Sequence, residues 1–227
     1  MKKILIVASR TVGGQKLLDL VRSRAREGDV QFVLVVPMDK PPHGGVIYNE
    51  AVRHTAEVRL SLARQFMAQE GIDLQGEVGD EDPFTATMDG VAIHRPDEVI
   101  ISTLPRTASG WLRRDLVERV QAASQLPVEH VVTDLDREGL PFKITLVVAN
   151  QTLEEAGLLV SGMLGNPDPY EATMNALHSF RVEDVVISTL PATKSGWLRG
   201  DLIERVREDS GKPVEHVEAE SAPAPAA

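Results

Sequence analysis

Cysteine is absent from the 227 residues. Disulfides and thiolate-ligated metals are therefore excluded, and a reducing cytosol is the natural compartment, so a cytoplasmic location is expected. Basic residues are outnumbered: 24 Lys and Arg against 34 Asp and Glu leave a formal net charge of -10. Non-specific binding to nucleic acid or to anionic lipid needs a basic face, so neither partner is expected. Long apolar runs are missing too, and nothing approaches the eighteen or so residues of a membrane span. Met1-Lys2-Lys3 followed by Ile4 to Ala8 has the opening of a signal peptide, but the apolar run is about five residues and ends at Ser9-Arg10, so it reads as a first strand. What is present, 42% hydrophobic and 26% charged residues, suffices for one large core or two small ones.

The chain repeats itself. Gly71 to Val131 aligns without a gap on Gly157 to Val217, with about half the positions identical, including Ser102-Thr103-Leu104-Pro105 with Ser188-Thr189-Leu190-Pro191 and Ser109-Gly110-Trp111-Leu112-Arg113 with Ser195-Gly196-Trp197-Leu198-Arg199. A single period of this length means a duplicated domain and not a solenoid, which needs at least three short repeats.

Strands alternate with helices through the first 134 residues. Ile4 to Ala8 is a strand buried on both faces. A helix with Leu17, Leu20, Val21 and Ala25 inward stops at Gly28, and Gln31 to Val36 is the second strand. The loop Pro41-Pro42-His43-Gly44-Gly45 precedes a long helix over Asn49 to Gln69 with a Val58, Leu62, Phe66 stripe. Asp73 to Val78 is a weak third strand. Asp82-Pro83 starts a helix with aspartate as N-cap and proline in the first turn; Asp97 to Ser102 is the fourth strand. Ser109 caps a fourth helix with Leu112, Leu116, Val117 and Val120 inward, and Pro127 to Thr133 is a fifth strand. The expected fold is α/β, a three-layer open parallel sheet with right-handed crossovers.

After a polar linker (135–142) the pattern restarts at Lys143, giving a truncated second unit (143–219) and a disordered tail (220–227) ending Pro-Ala-Pro-Ala-Ala. Ile144 to Ala149 repeats the first strand, but the next matched residue is Gly157, so the copy omits the first helix, second strand and second helix. Asn150 to Gly157, at about 26 Å fully extended, is too short to contain a crossover helix. The stretch from Leu153 to Leu164 reads as a strand by the repeat, or as a helix opened by the capping box Thr152-Leu153-Glu154-Glu155.

In an open parallel sheet a ligand sits beyond the carboxyl ends of the strands, where strand order reverses. Two loops should meet there: Ser9, Arg10, Thr11 onward to Gly14 after the first strand, with Val36 at the end of the second, and Ser102, Thr103, Arg106, Thr107, Ser109 and Gly110 after the fourth. Hydroxyls, a guanidinium and helix N–H groups suit a phosphate; the same hydroxyls also cap turns in any such loop. No G-x-G-x-x-G or Walker pattern surrounds Gly13-Gly14. Trp111 and Trp197, each one residue before an inward leucine, read as helix-to-sheet packing. His130 and His216 lack metal-ligand spacing. Asp115 and Glu118, among Arg113, Arg114 and Arg119, read as a solvated helix face. No nucleophile arrangement is legible, so catalysis is not expected.

Lys2-Lys3-Ile4-Leu5-Ile6-Val7, Asp97-Glu98-Val99-Ile100-Ile101, and Glu118-Arg119-Val120 leading to Pro127-Val128 resemble the universal stress proteins, of the adenine nucleotide alpha hydrolase-like fold. That resemblance implies a five-stranded parallel sheet, a dimer, and in nucleotide-binding members ATP or AMP. Those members carry an aspartate after the first strand, where this chain has Ser9 and, in the copy, Asn150. They also carry a G-x2-G-x9-G-S/T signature, where this chain has Ile101, Leu104, Arg114 and Asp115, and the copy Ile187, Leu190, Gly200 and Asp201. Glycine is used where phosphate approaches backbone. The resemblance is thus to a branch without the ATP signature: a regulatory or binding protein whose two fifth strands (Val128 to Val132 and Val214 to Val217) associate as a pseudo-dimer or in a homodimer. The alternative is a nucleotide or other phosphorylated ligand at Ser9, Thr11, Ser102, Thr103 and Arg106, with slow hydrolysis.

Overall fold

In a computed structural model of the chain, residues 1–38, 49–105, 115–140, 143–149, 160–162, 165–189 and 201–218 are described. The first half builds on five strands, β1 (Lys2–Val7), β2 (Val30–Pro37), β3 (Leu74–Gly79), β4 (Glu98–Thr103) and β5 (Val128–Val132). All pair in parallel in the order β3-β2-β1-β4-β5. Between them run α1 (Gln15–Arg26), α2 (Asn49–Gln69), α3 (Pro83–His94) and α4 (Leu116–Ser124).

The apolar run of β1 is continuous because both of its faces are covered. Leu5, Val7, Val33, Val35, Val99 and Ile101 form one core with Ala86 of α3 and Leu116 and Val120 of α4. By the two-residue alternation of a strand, Ile4, Ile6, Leu34 and Ile100 lie on the opposite face, where α1 and α2 pack. Gly76 marks how closely α2 approaches: a Cβ there would come within 2.4 Å of the Leu34 carbonyl oxygen and 2.7 Å of Leu60 Cδ1. The result is the expected three-layer α/β sheet.

Local chemistry explains most boundaries. The Asp82 carboxylate accepts from Thr85 N at 3.1 Å, Pro83 occupies the first turn, and α3 ends at left-handed Arg95 (φ 50). Gly71, at φ 73, follows the end of α2 as expected.

Several expectations change. A helix capped at Ser109 and running through Leu116 is ruled out at Asp115, whose φ of 47 breaks helical geometry immediately before Leu116. Ser109, Gly110 and Trp111 lie outside the described residues. In α2 the buried positions are Val52, Thr55, Ala56, Val58, Arg59, Ala63 and Met67, while Leu62 and Phe66 are only half buried, so the inward stripe is rotated from the one expected and includes a cation. The linker begins as a helical turn, α5 (Leu135–Glu138), capped by Asp134 and tied to α1 by Lys16 to Glu138 at 2.6 Å.

The chain divides into two compact units, Met1–Pro141 with Gly157–Met163, and Phe142–Ala156 with Leu164–Ala227. The second unit holds β6 (Thr145–Val148), β7 (Asp184–Thr189) and β8 (Val214–Glu218), parallel in the order β6-β7-β8, with α6 (Pro169–Ser179) and α7 (Leu202–Ser210). Its core joins Val185 and Ile187 to Leu202 and Val206, with Tyr170 and Leu177 packed alongside. Residues 86 apart, such as Val99 and Val185, recur in the same geometry. Val99 pairs with Val128 and Val185 with Val214. Thr103 Oγ1 lies 2.9 Å from His130 Nε2, and Thr189 Oγ1 lies 2.8 Å from His216 Nε2. Arg119 stacks on Phe84 and Arg205 on Tyr170.

The strand or helix expected over 153–164 is absent where it is described, since Val160–Gly162 form neither. In the first unit β3 exists by pairing with β2; the described residues of the second unit contain no counterpart of β2, so a counterpart of β3 has no ladder to join. The Val160 carbonyl instead accepts from Gln65 Nε2 at 3.1 Å. Residues 150–159 and the tail 219–227 lie outside the described residues.

Candidate functional site

Strand order reverses between β1 and β4, so the crevice for a ligand lies at their carboxyl ends. The loop leaving β1 is a tight backbone turn: Val12 N donates to Ser9 O at 3.3 Å, Gly14 N to Thr11 O at 3.0 Å, and Leu18 N to Gly14 O at 3.1 Å as α1 begins. Gly14 is required here by space. A Cβ at this position would sit 2.2 Å from Thr133 Cγ2, a contact that only a movement of Thr133 or of the turn itself would relieve.

Ser9, Thr11, Ser102 and Thr103 are brought together, and each hydroxyl has a protein partner. Arg59 Nη1, reaching from α2, donates to Ser9 Oγ at 3.0 Å. Thr11 Oγ1 donates to Ser102 O at 3.1 Å, joining the loop after β1 to the end of β4. Ser102 Oγ and Thr133 Oγ1 are 3.4 Å apart, and Thr103 Oγ1 pairs with His130 as above. All four residues are 3% exposed or less. Val36 is likewise buried on the strand beside β1, so its side chain packs the sheet. Arg10 is half buried on the loop, and Arg106, Ser109 and Gly110 fall outside the described residues.

Electrostatics add two points. Arg59 is 8% exposed, and burying a cationic residue is expensive, which makes it the most unusual side chain at this end of the sheet. Burial holds the His130 imidazole below its ordinary value of 6.5, against the opposing attraction of Glu118. Thr103 and His130 therefore form a neutral hydrogen-bonded pair at neutral pH. Among the described residues no group of three or more His, Asp or Glu could hold a metal.

Two participants escaped sequence reasoning. In the sequence Thr133 is only the end of a strand. Arg59 lies in a charged helix, yet it falls three residues after Ala56 and four before Ala63, in the middle of the inward stripe; a cation at a core-facing helical position is the available signal.

These features define an open parallel α/β sheet whose switch-point crevice is lined by a tight turn and internally bonded hydroxyls. No family model and no curated protein matches the chain. Among solved structures the chain is similar to a protein from the universal stress protein family of Burkholderia pseudomallei, with a TM-score of 0.43, 18% identity, and coverage of 57% of this chain and 95% of that one. It is similar also to a universal stress protein solved in complex with cAMP, with TM-score 0.43, 12% identity, and 59% and 98% coverage. A universal stress protein family protein from Arabidopsis thaliana solved with AMP bound gives TM-score 0.40, 11% identity, and 60% and 95% coverage. No helix among the described residues is long and apolar enough to cross a membrane.

Proposed function

We propose that the chain is a cytoplasmic regulatory or binding protein of the universal stress type, not a catalyst, that works without the ATP grip of nucleotide-binding members. The observation that carries this reading is the burial of Ser9, Thr11, Ser102 and Thr103 and the bonding of each hydroxyl to a protein partner. A phosphate site at a switch point needs donors that face solvent before the ligand arrives. Leu104 in the place of a signature glycine points the same way. Isothermal titration of the full chain with ATP, ADP and AMP is expected to show no heat of binding at millimolar nucleotide. Saturable binding would overturn the reading.

On this proposal the second unit is a truncated copy kept as a built-in partner, and the outer strands β5 and β8 are the edges that associate, within one chain or between two. Their exposed Val132 and Val217 support it, because unpaired edges carrying apolar side chains attract strands. Hydrogen exchange on the full chain should find the outward amides of β5 and β8 protected, and free exchange at both would remove the edge-pairing element.

One observation favours a second reading. Arg59, held against Ser9 at the end of β1, is a cation already desolvated near the place where a phosphorylated ligand such as AMP would sit, with slow hydrolysis as a further step. Nucleotide binding that is weakened in an Arg59→Gln variant retaining the wild-type melting temperature would favour this reading over the first.

A further inference from the structure

Among the described residues of the second unit, both helices pack on one face of its sheet. Tyr170 and Leu177 of α6 and Leu202 and Val206 of α7 all pack on the side of Val185 and Ile187. The opposite side carries Thr145 and Val147 of β6, Val186 and Ser188 of β7, and Glu215 and Val217 of β8. Val147 is 38% exposed and Val217 is 42% exposed. Parallel sheets are stable almost only when both faces are covered.

The first unit shows what such a face takes. By register, Ile6 and Val131 are the counterparts of Val147 and Val217, and Glu129 is that of Glu215. Ile6 is 2% exposed and Val131 is 9% exposed, because α1 and α2 lie over them. Helix α1 buries Leu17, Leu18 and Val21, and one turn later Arg24 Nη2 reaches Glu129 at 2.7 Å and Glu98 at 3.2 Å. The second unit keeps both carboxylates, as Glu215 and Asp184. Asp184 bonds Lys143, whereas no ion pair to Glu215 occurs among the described residues. No helix among the described residues of this unit stands where α1 and α2 stand in the first.

We propose that the open face of β6-β7-β8 is a docking site for an amphipathic helix of another protein, one with a leucine or valine ridge and an arginine about one turn beyond it to meet Glu215. Charge complementarity selects this occupant. A second copy of the chain would bring a molecule of like charge, net -10, to a face that carries Glu215, and α1 itself cannot be lent because its apolar ridge is buried in its own unit. The binding mode is helix-on-apolar-face, with the arginine setting register.

The probe is a fluorescein-labelled synthetic peptide of residues 14–27, side-chain stapled on its polar face, titrated into the full chain by anisotropy. Saturable binding is expected, weakened by about tenfold or more in the Glu215→Lys protein and also with an Arg24→Glu peptide, which leaves the protein untouched. The chain has no cysteine, so a Val217→Cys variant gives a single thiol; it should react freely in the unbound protein and about tenfold more slowly at peptide saturation. Four results would overturn the proposal: no saturable binding, binding indifferent to both charge reversals, a Val217→Cys thiol already unreactive in the free chain, or a dimer by light scattering that Val147→Lys dissociates. The third would mean that the chain covers its own face and the fourth that a second copy does.

Discussion

The two units use the same strand, loop and helix chemistry to different ends. In the first, β1 is central and apolar on both sides, and Ile4, Ile6 and Ile100 are buried as deeply as Leu5, Val7 and Ile101. In the second, the counterpart β6 alternates, with Thr145 and Val147 exposed and Leu146 and Val148 half buried. The same alternation reaches β8, where Val217 stands open while Val131, its counterpart, is shielded. Among the described residues of the second unit no helix corresponds to α1 or α2, and on that face Thr145 and Val147 stand where the first unit has Ile4 and Ile6. The described layer of the second unit has a core of its own, from Val185 and Ile187 to Leu202 and Val206.

The sharpest way to break this comparison is to truncate matched residues. Ile6→Ala should cost about 2–5 kcal/mol of stability in urea denaturation, the range for a fully buried aliphatic side chain, whereas Val147→Ala should leave the transition nearly unmoved. Equal losses would mean that the second face is covered. A smaller difference is expected at the carboxylates. Glu98 is buried and held by both Lys2 at 2.5 Å and Arg24, so Arg24→Ala should cost about 1–3 kcal/mol by leaving buried carboxylate oxygen short of a donor. Lys143→Ala, removing the exposed partner of Asp184, should change little. The same denaturation curves read out both.

The smallest effect concerns protonation. Burial depresses the His130 pKa in the folded state, so the unfolded chain takes up the proton first as the pH falls. The stability that goes with neutral His130 is complete above about pH 6.5, the ordinary histidine value, and declines as the pH drops through that value toward the folded-state pKa. Melting temperatures measured from pH 7.5 to 5.5 should fall less steeply in His130→Gln than in the parent. An unchanged slope would show that Thr103 and His130 do not report on burial at the end of the sheet.

Much of the fold was legible because it is written in periodicities that do not depend on distant contacts. The run Ile4 to Val7, the Asp82-Pro83 helix start, the Asn49–Gln69 helix and the repeat each follow from local pattern. The site was legible only as a place. Sequence position put Ser9, Thr11, Ser102 and Thr103 at the switch point, but a hydroxyl reads the same whether it faces a ligand or a neighbour. Their partners Arg59, Thr133 and His130 come from 50, 31 and 27 residues away. The rotated stripe of α2 had the same origin: helical spacing allows several apolar faces, and contact with the sheet selects the one that carries Arg59.

The sequence by itself determined that this protein is an α/β chain with an internal copy, acidic and without thiol chemistry, because composition, alternation and self-similarity are one-dimensional properties. Only the tertiary structure decided that Ser9, Thr11, Ser102 and Thr103 are bonded to protein partners at the carboxyl ends of β1 and β4, and that no described helix of the second unit covers the Val147 and Val217 face of its sheet. Both depend on which side chains meet across the sheet, and that is set by packing layers whose presence or loss no local pattern records.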